Sequence, residues 1–101
     1  MKYEQINETL FCRFDAEMDT ITCTKIADEL ATQIKTALQE KSDLKIVFDL
    51  SETTYIASSF LRFCVQYYKM VGAGRLTVTH ASDNIKEVFE IAALTEILSL
   101  N

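Results

Sequence analysis

The stretch Leu44-Lys45-Ile46-Val47-Phe48-Asp49-Leu50-Ser51-Glu52-Thr53-Thr54-Tyr55-Ile56-Ala57-Ser58-Ser59-Phe60-Leu61-Arg62-Phe63 changes its hydrophobic period midway. Leu44 to Leu50 has a core that is apolar on both faces, as in a strand with neighbours around it. Ser51 to Thr54 is polar and turns the chain. From Ser58 to Val71 apolar residues recur at spacings of three and four, which predicts a helix. Gly72-Ala73-Gly74 ends that helix, because glycine takes the left-handed conformation a helix cap needs.

The same switch occurs on both sides. Upstream, Thr9 to Phe14 alternates, with Leu10, Cys12 and Phe14 on one side and Phe11 and Arg13 on the other, which is a strand. Cys23, Ile26, Ala27, Leu30, Ile34, Ala37 and Leu38 then form one helical stripe. Thr22 or Thr24 is the expected cap, and the stop falls near Lys41-Ser42-Asp43. Downstream, Arg75 to Thr79 is a further strand. Ser82-Asp83-Asn84 supplies three candidate caps for a last helix with Ile85, Val88, Phe89 and Ala92 inward. Leu94, Ile97 and Leu98 form an apolar tail expected to pack back on the domain. Tyr3 to Ile6 adds a candidate antiparallel edge strand. Repeated strand–helix alternation implies an α/β fold with a mixed, mostly parallel sheet and right-handed crossovers.

At 101 residues the chain has room for one domain and one core. Its formal charge is −5 with no basic run, so nucleic acid is not an expected partner. No stretch is long and apolar enough to span a membrane, and Met1-Lys2-Tyr3-Glu4-Gln5 lacks the apolar run of a signal peptide. Cys12, Cys23 and Cys64 lie in apolar segments without metal-ligand spacing. They read as small core residues of a cytoplasmic protein, and no metal or cofactor is implied. No glycine-rich phosphate loop is present.

Two adjacent serines, Ser58 and Ser59, stand where the middle helix begins. A hydroxyl there can cap free backbone N–H groups, and the same N–H groups and helix dipole stabilise a phosphate. Both readings stand at this level, and the plain cap is the commoner arrangement. An esterase-like reading would take Ser58 or Ser59 as nucleophile, His80 as base and Asp49 as its orienter. It lacks a nucleophile elbow and an oxyanion loop, so the protein reads as a non-enzyme.

Asp49-Leu50-Ser51, Tyr55-Ile56, Ser58-Ser59 and Leu61 together resemble the signature of STAS domains, the fold of bacterial anti-sigma-factor antagonists. Tyr68-Lys69, Gly72, Gly74, Arg75-Leu76, the run from Ser82 to Ile91, and Asp19 ahead of the first helix extend the resemblance over nearly the whole chain. It implies a regulatory protein whose partner is an anti-sigma factor or related serine kinase. It also implies that Ser58, with Ser59 as second choice, accepts a phosphate that releases this partner. Two positions depart from the pattern: Ala57 replaces the family's Asp, and Phe60 replaces its Gly. The runner-up is a constitutive, non-phosphorylated interaction module in a larger signalling assembly. The sequence leaves the oligomeric state open.

The middle helix carries a second apolar stripe. Beside Leu61, Cys64, Val65, Tyr68 and Val71 run Phe60, Phe63, Tyr67 and Met70, and only Arg62, Gln66 and Lys69 are polar. The second stripe is either core or a contact surface. On the latter reading Ser59, Phe60, Arg62 and Phe63 bind the partner, and Phe60, nearest the loop, is the more exposed of the two phenylalanines.

Overall fold

A computed structural model describes residues 1–98. In chain order the elements are strand β1 (Lys2–Ile6), β2 (Thr9–Arg13), β3 (Glu17–Met18), helix α1 (Thr20–Glu40), β4 (Lys45–Asp49), β5 (Tyr55–Ile56), α2 (Ser58–Val71), β6 (Leu76–Thr79) and α3 (Asp83–Ile91), followed by a 3₁₀ turn at Thr95–Ile97. The main sheet has the order β1-β2-β4-β6, with β1 antiparallel to β2 and the other pairs parallel. The α/β class, the mostly parallel sheet and the antiparallel edge strand are as the sequence predicts.

The period of two along each strand decides where the helices lie. Leu10, Cys12, Ile46, Phe48, Leu76 and Val78 are paired in register and form one face. All six are at most 2% exposed, and they share one core with Leu30 and Ile34 of α1, Phe60 and Tyr67 of α2, and Ile85 and Phe89 of α3. The opposite face carries Phe11, which is exposed, and Val47, which is half-buried. The three cysteines are reduced and buried. Burial pushes the Cys12 thiol up to about 12 and raises Cys64 as well, so neither is a thiolate at neutral pH.

Helix ends depart from the sequence reading. The cap of α1 is Asp19, whose Oδ1 accepts from the Thr22 N–H at 2.8 Å; Thr22 and Thr24 lie inside the helix. The Thr24 hydroxyl instead donates back to the Thr20 carbonyl at 2.8 Å, a common satisfaction of a threonine within a helix. Ser82 caps α3 by accepting from the Ile85 N–H. On α3 only Ile85 and Phe89 are buried; Val88 and Ala92, expected inward, are exposed. Nine residues make only two and a half turns, and Ile85 and Phe89, four residues apart, form the one line that faces the core. The tail returns as expected: Ile97 is buried, and Leu98 forms a parallel bridge with Val78.

Candidate functional site

The candidate site lies at the carboxyl ends of β2, β4 and β6, where loops of open α/β sheets gather. Two loops interlock there. Between β2 and α1, the Ala16 carbonyl accepts from the Thr54 N–H at 2.7 Å and the Tyr55 N–H at 3.2 Å. The Thr54 hydroxyl donates to the same oxygen at 3.1 Å, and the buried Thr53 hydroxyl donates to the Asp15 carbonyl at 2.9 Å. Strands β3 and β5 pair in parallel through Glu17 with Tyr55 and Met18 with Ile56, a small ladder that the periodicity did not reveal. The Ala57 N–H then donates to the Met18 carbonyl at 2.9 Å. The start of α2 is therefore held against the start of α1.

Asp49 organises the near side. Its Oδ1 accepts from the Ser51 N–H at 2.9 Å, and its Oδ2 accepts from Arg13 Nε at 3.2 Å. Burial acts to raise its pKa, but the Ser51 and Arg13 bonds together outweigh it and hold the carboxyl below its ordinary value. His80 Nδ1 faces Asp49 Oδ1 at 3.3 Å and Thr79 Oγ1 at 3.2 Å. Asp49 thus fixes the turn into the Ser51–Thr54 loop. Of the esterase-like arrangement, His80 and Asp49 stand together; among the described residues no hydrogen bond joins His80 to Ser58 or Ser59.

The two serines have different fates, and neither caps the helix. Ala57 occupies the cap position of α2; its carbonyl accepts from the Phe60 N–H at 3.0 Å, and among the described residues no side chain caps the Ser58 and Ser59 N–H groups. Ser58 is the first residue inside the helix and is exposed. Ser59 is half-buried, and its hydroxyl donates to the Thr20 hydroxyl at 3.3 Å. Among the described residues Ser58 makes no such side-chain bond, and it is exposed at a helix N-terminus without a side-chain cap.

Phe60 does not lie on the surface. It is fully buried, with its ring edge-on to Phe14 at 4.9 Å and tilted against Phe48 at 6.0 Å. This corrects its expected place in a contact surface and as the more exposed phenylalanine. The reason is rotational: Phe60, Cys64, Tyr67 and Val71 are the buried line of α2, so the second stripe, open between core and contact surface on sequence, is partly core. Phe63 is half-buried and Arg62 exposed. Leu61 and Val65, expected in the core, are half-buried and line a shallow groove with Arg62, Gln66 and Lys69. Tyr55, 54% exposed, and Ile21, 68% exposed, add apolar surface on the elements joined to the start of α2. Ile21 was not singled out from sequence and Tyr55 only within the STAS resemblance, since an isolated apolar residue on a first helical turn or a two-residue strand gives no periodic signal.

The family model for the STAS domain matches residues 1–101. No curated protein sequence matches the chain. Among solved structures, the chain is similar to the anti-sigma factor antagonist SpoIIAA in its unphosphorylated form, with a TM-score of 0.79 at 18% identity, covering 97% of this chain and 84% of that one. It is also similar to the Bacillus cell fate determinant SpoIIAA in the phosphorylated form, with a TM-score of 0.71 at 19% identity, covering 97% and 87%. The fold is shared with both, and the chain belongs to the STAS-domain family.

Proposed function

We propose that this STAS domain is a regulatory protein-binding module of the anti-sigma-factor-antagonist kind. Its partner is an anti-sigma factor or related serine kinase, and phosphate on Ser58 releases it. The observation that carries this reading is the contrast between the serines: among the described residues Ser58 is exposed and makes no side-chain bond, while Ser59 is tied to Thr20. A phosphoryl group on Ser58 adds close to two negative charges. It would stand at the start of α2, where helix N–H groups offset its charge, so the fold is retained and the contact surface changes. Phe63, Arg62 and Ser59 border that position and form the contact surface with the groove along Leu61 and Val65. The test is calorimetric titration with the anti-sigma factor kinase of the source organism. Ser58→Asp weakens binding at least about tenfold, or about 1.4 kcal/mol, with unchanged melting temperature, while Ser58→Ala binds like the parent.

Ala57 favours the second reading, a constitutive module. The cap position has no carboxylate to orient the Ser58 hydroxyl toward a kinase. Equal binding by Ser58→Ala and Ser58→Asp selects that reading.

A further inference from the structure

The two edges of the main sheet are finished differently. On one side, Leu98 bridges to Val78 and covers part of the β6 edge. On the other, β1 pairs with β2 through five consecutive residue pairs and has no neighbour among the described residues on its outer side. All five of its residues are exposed. No helix covers it either: Tyr3 stands in the same row as the buried Cys12, Phe48 and Val78, yet it is 43% exposed. Edge strands are usually blunted by short length, charged side chains, a proline, a bulge or inward charges, and of these β1 carries only its short length and the charges of Lys2 and Glu4. β1 has no proline, and its register with β2 is unbroken.

Its charges select a partner. Lys2 and Glu4 have opposite sign and are two residues apart, so their side chains share the open face of the sheet. A two-fold axis perpendicular to the sheet can pair β1 with a second β1 in antiparallel fashion. Centred on Glu4, the pairing sets two glutamates opposite each other. Centred on Tyr3, it sets Lys2 opposite Glu4 of the other copy, and does so twice. Opposite charges on directly facing residues support a strand pair, and like charges oppose it. The Tyr3 side chains then meet on the opposite face.

We propose that β1 is a homotypic docking edge, through which two copies pair antiparallel about Tyr3 into one continuous eight-stranded sheet. None of its residues belongs to α2, so each copy keeps Ser58 and the α2 groove free, and the proposal does not depend on the switch described above. A strand this short buries less than the ~1,000 Å² of a stable interface, so the association is weak and reversible, with a Kd of about 0.1–1 mM at low salt.

The experiment is sedimentation equilibrium of the full chain from about 10 μM to about 1 mM at low salt, on the parent, Lys2→Glu, Glu4→Lys and the double variant. The parent shifts from monomer toward dimer over this range. Each single variant creates two like-charge pairs and weakens dimerisation at least about threefold; the double variant restores the pairs with reversed polarity and recovers it. Both positions are exposed, so circular dichroism should show an unchanged fold. A parent that stays monomeric throughout overturns the proposal. So does a dimer indifferent to the single charge reversals, or one that the double variant fails to rescue.

Discussion

The Ser59 hydroxyl donates to the Thr20 hydroxyl over 3.3 Å, joining the second residue of α2 to the first of α1. This bond separates the roles of two serines that composition cannot distinguish. Removing either partner, by Ser59→Ala or Thr20→Val, costs about 0.5–1 kcal/mol in urea denaturation, the ordinary net worth of such a bond. The double variant costs little more than either single one, because both remove the same contact. With the cognate kinase, mass spectrometry finds phosphate on Ser59→Ala and none on Ser58→Ala. Phosphate on Ser58→Ala would move the acceptor to Ser59.

Phe60 and Phe63 separate by burial. Phe60→Ala removes a fully buried ring that touches Phe14 and Phe48, and costs about 3–5 kcal/mol of stability. Phe63, half-buried with its ring 6.4 Å from that of Phe60, costs about 1–2 kcal/mol on truncation. Urea denaturation gives both values. Titration of the folded proteins with the partner then gives weaker binding for Phe63→Ala and parental binding for Phe60→Ala. The reverse pattern would remove Phe63 from the contact surface.

The strands of the main sheet and the span of α2 were legible because each segment repeats one period over several residues. Leu10, Cys12 and Phe14, for example, all lie buried as their alternation requires. The rotation of α2 was not legible. Phe60, Phe63, Tyr67 and Met70 compete with Leu61, Cys64, Val65 and Tyr68 for the inward side, and hydrophobicity ranks the two sets alike. The outcome is a boundary line through Cys64 and Tyr67, set by where Phe14 and Phe48 leave room for Phe60. The Ser58-Ser59 pair was legible as a position at a helix start, but which residue takes the cap position was not. Asp19 and Ala57, not the expected threonines and serines, hold the cap positions of α1 and α2.

Asp49 makes part of the stability depend on acid pH. Its folded-state pKa is lowered, so the carboxylate stabilises the fold above the ordinary carboxylate pKa of about 4. That contribution falls as pH drops through the lower folded-state value. Asp49→Asn keeps an acceptor for the Ser51 N–H but loses the charge facing Arg13. It is therefore less stable than the parent by up to about 1 kcal/mol near neutral pH. The difference shrinks toward zero at the acid end, and urea titrations across the range measure it. A difference independent of pH would mean that the carboxylate charge contributes nothing.

Helix α3 ends in a left-handed turn at a residue poorly suited to it. The Leu94 N–H donates to the Phe89 carbonyl at 2.9 Å and the Ala93 N–H to the Glu90 carbonyl at 3.0 Å, the paired bonds of a Schellman motif. Ala93, at the position glycine usually fills, has φ +58° and is exposed. A left-handed conformation costs an L-residue with a Cβ roughly 1–2 kcal/mol, while glycine loses more backbone freedom on folding, roughly 0.5–1 kcal/mol. Ala93→Gly should therefore stabilise the protein by up to about 1 kcal/mol, raising the denaturation midpoint with an unchanged m-value. The corresponding Ala92→Gly, at φ −80° in the right-handed region, has no such strain to relieve and should destabilise. If both substitutions lower the midpoint, the turn at Ala93 carries no strain and the bonds to Phe89 and Glu90 set the helix end by themselves.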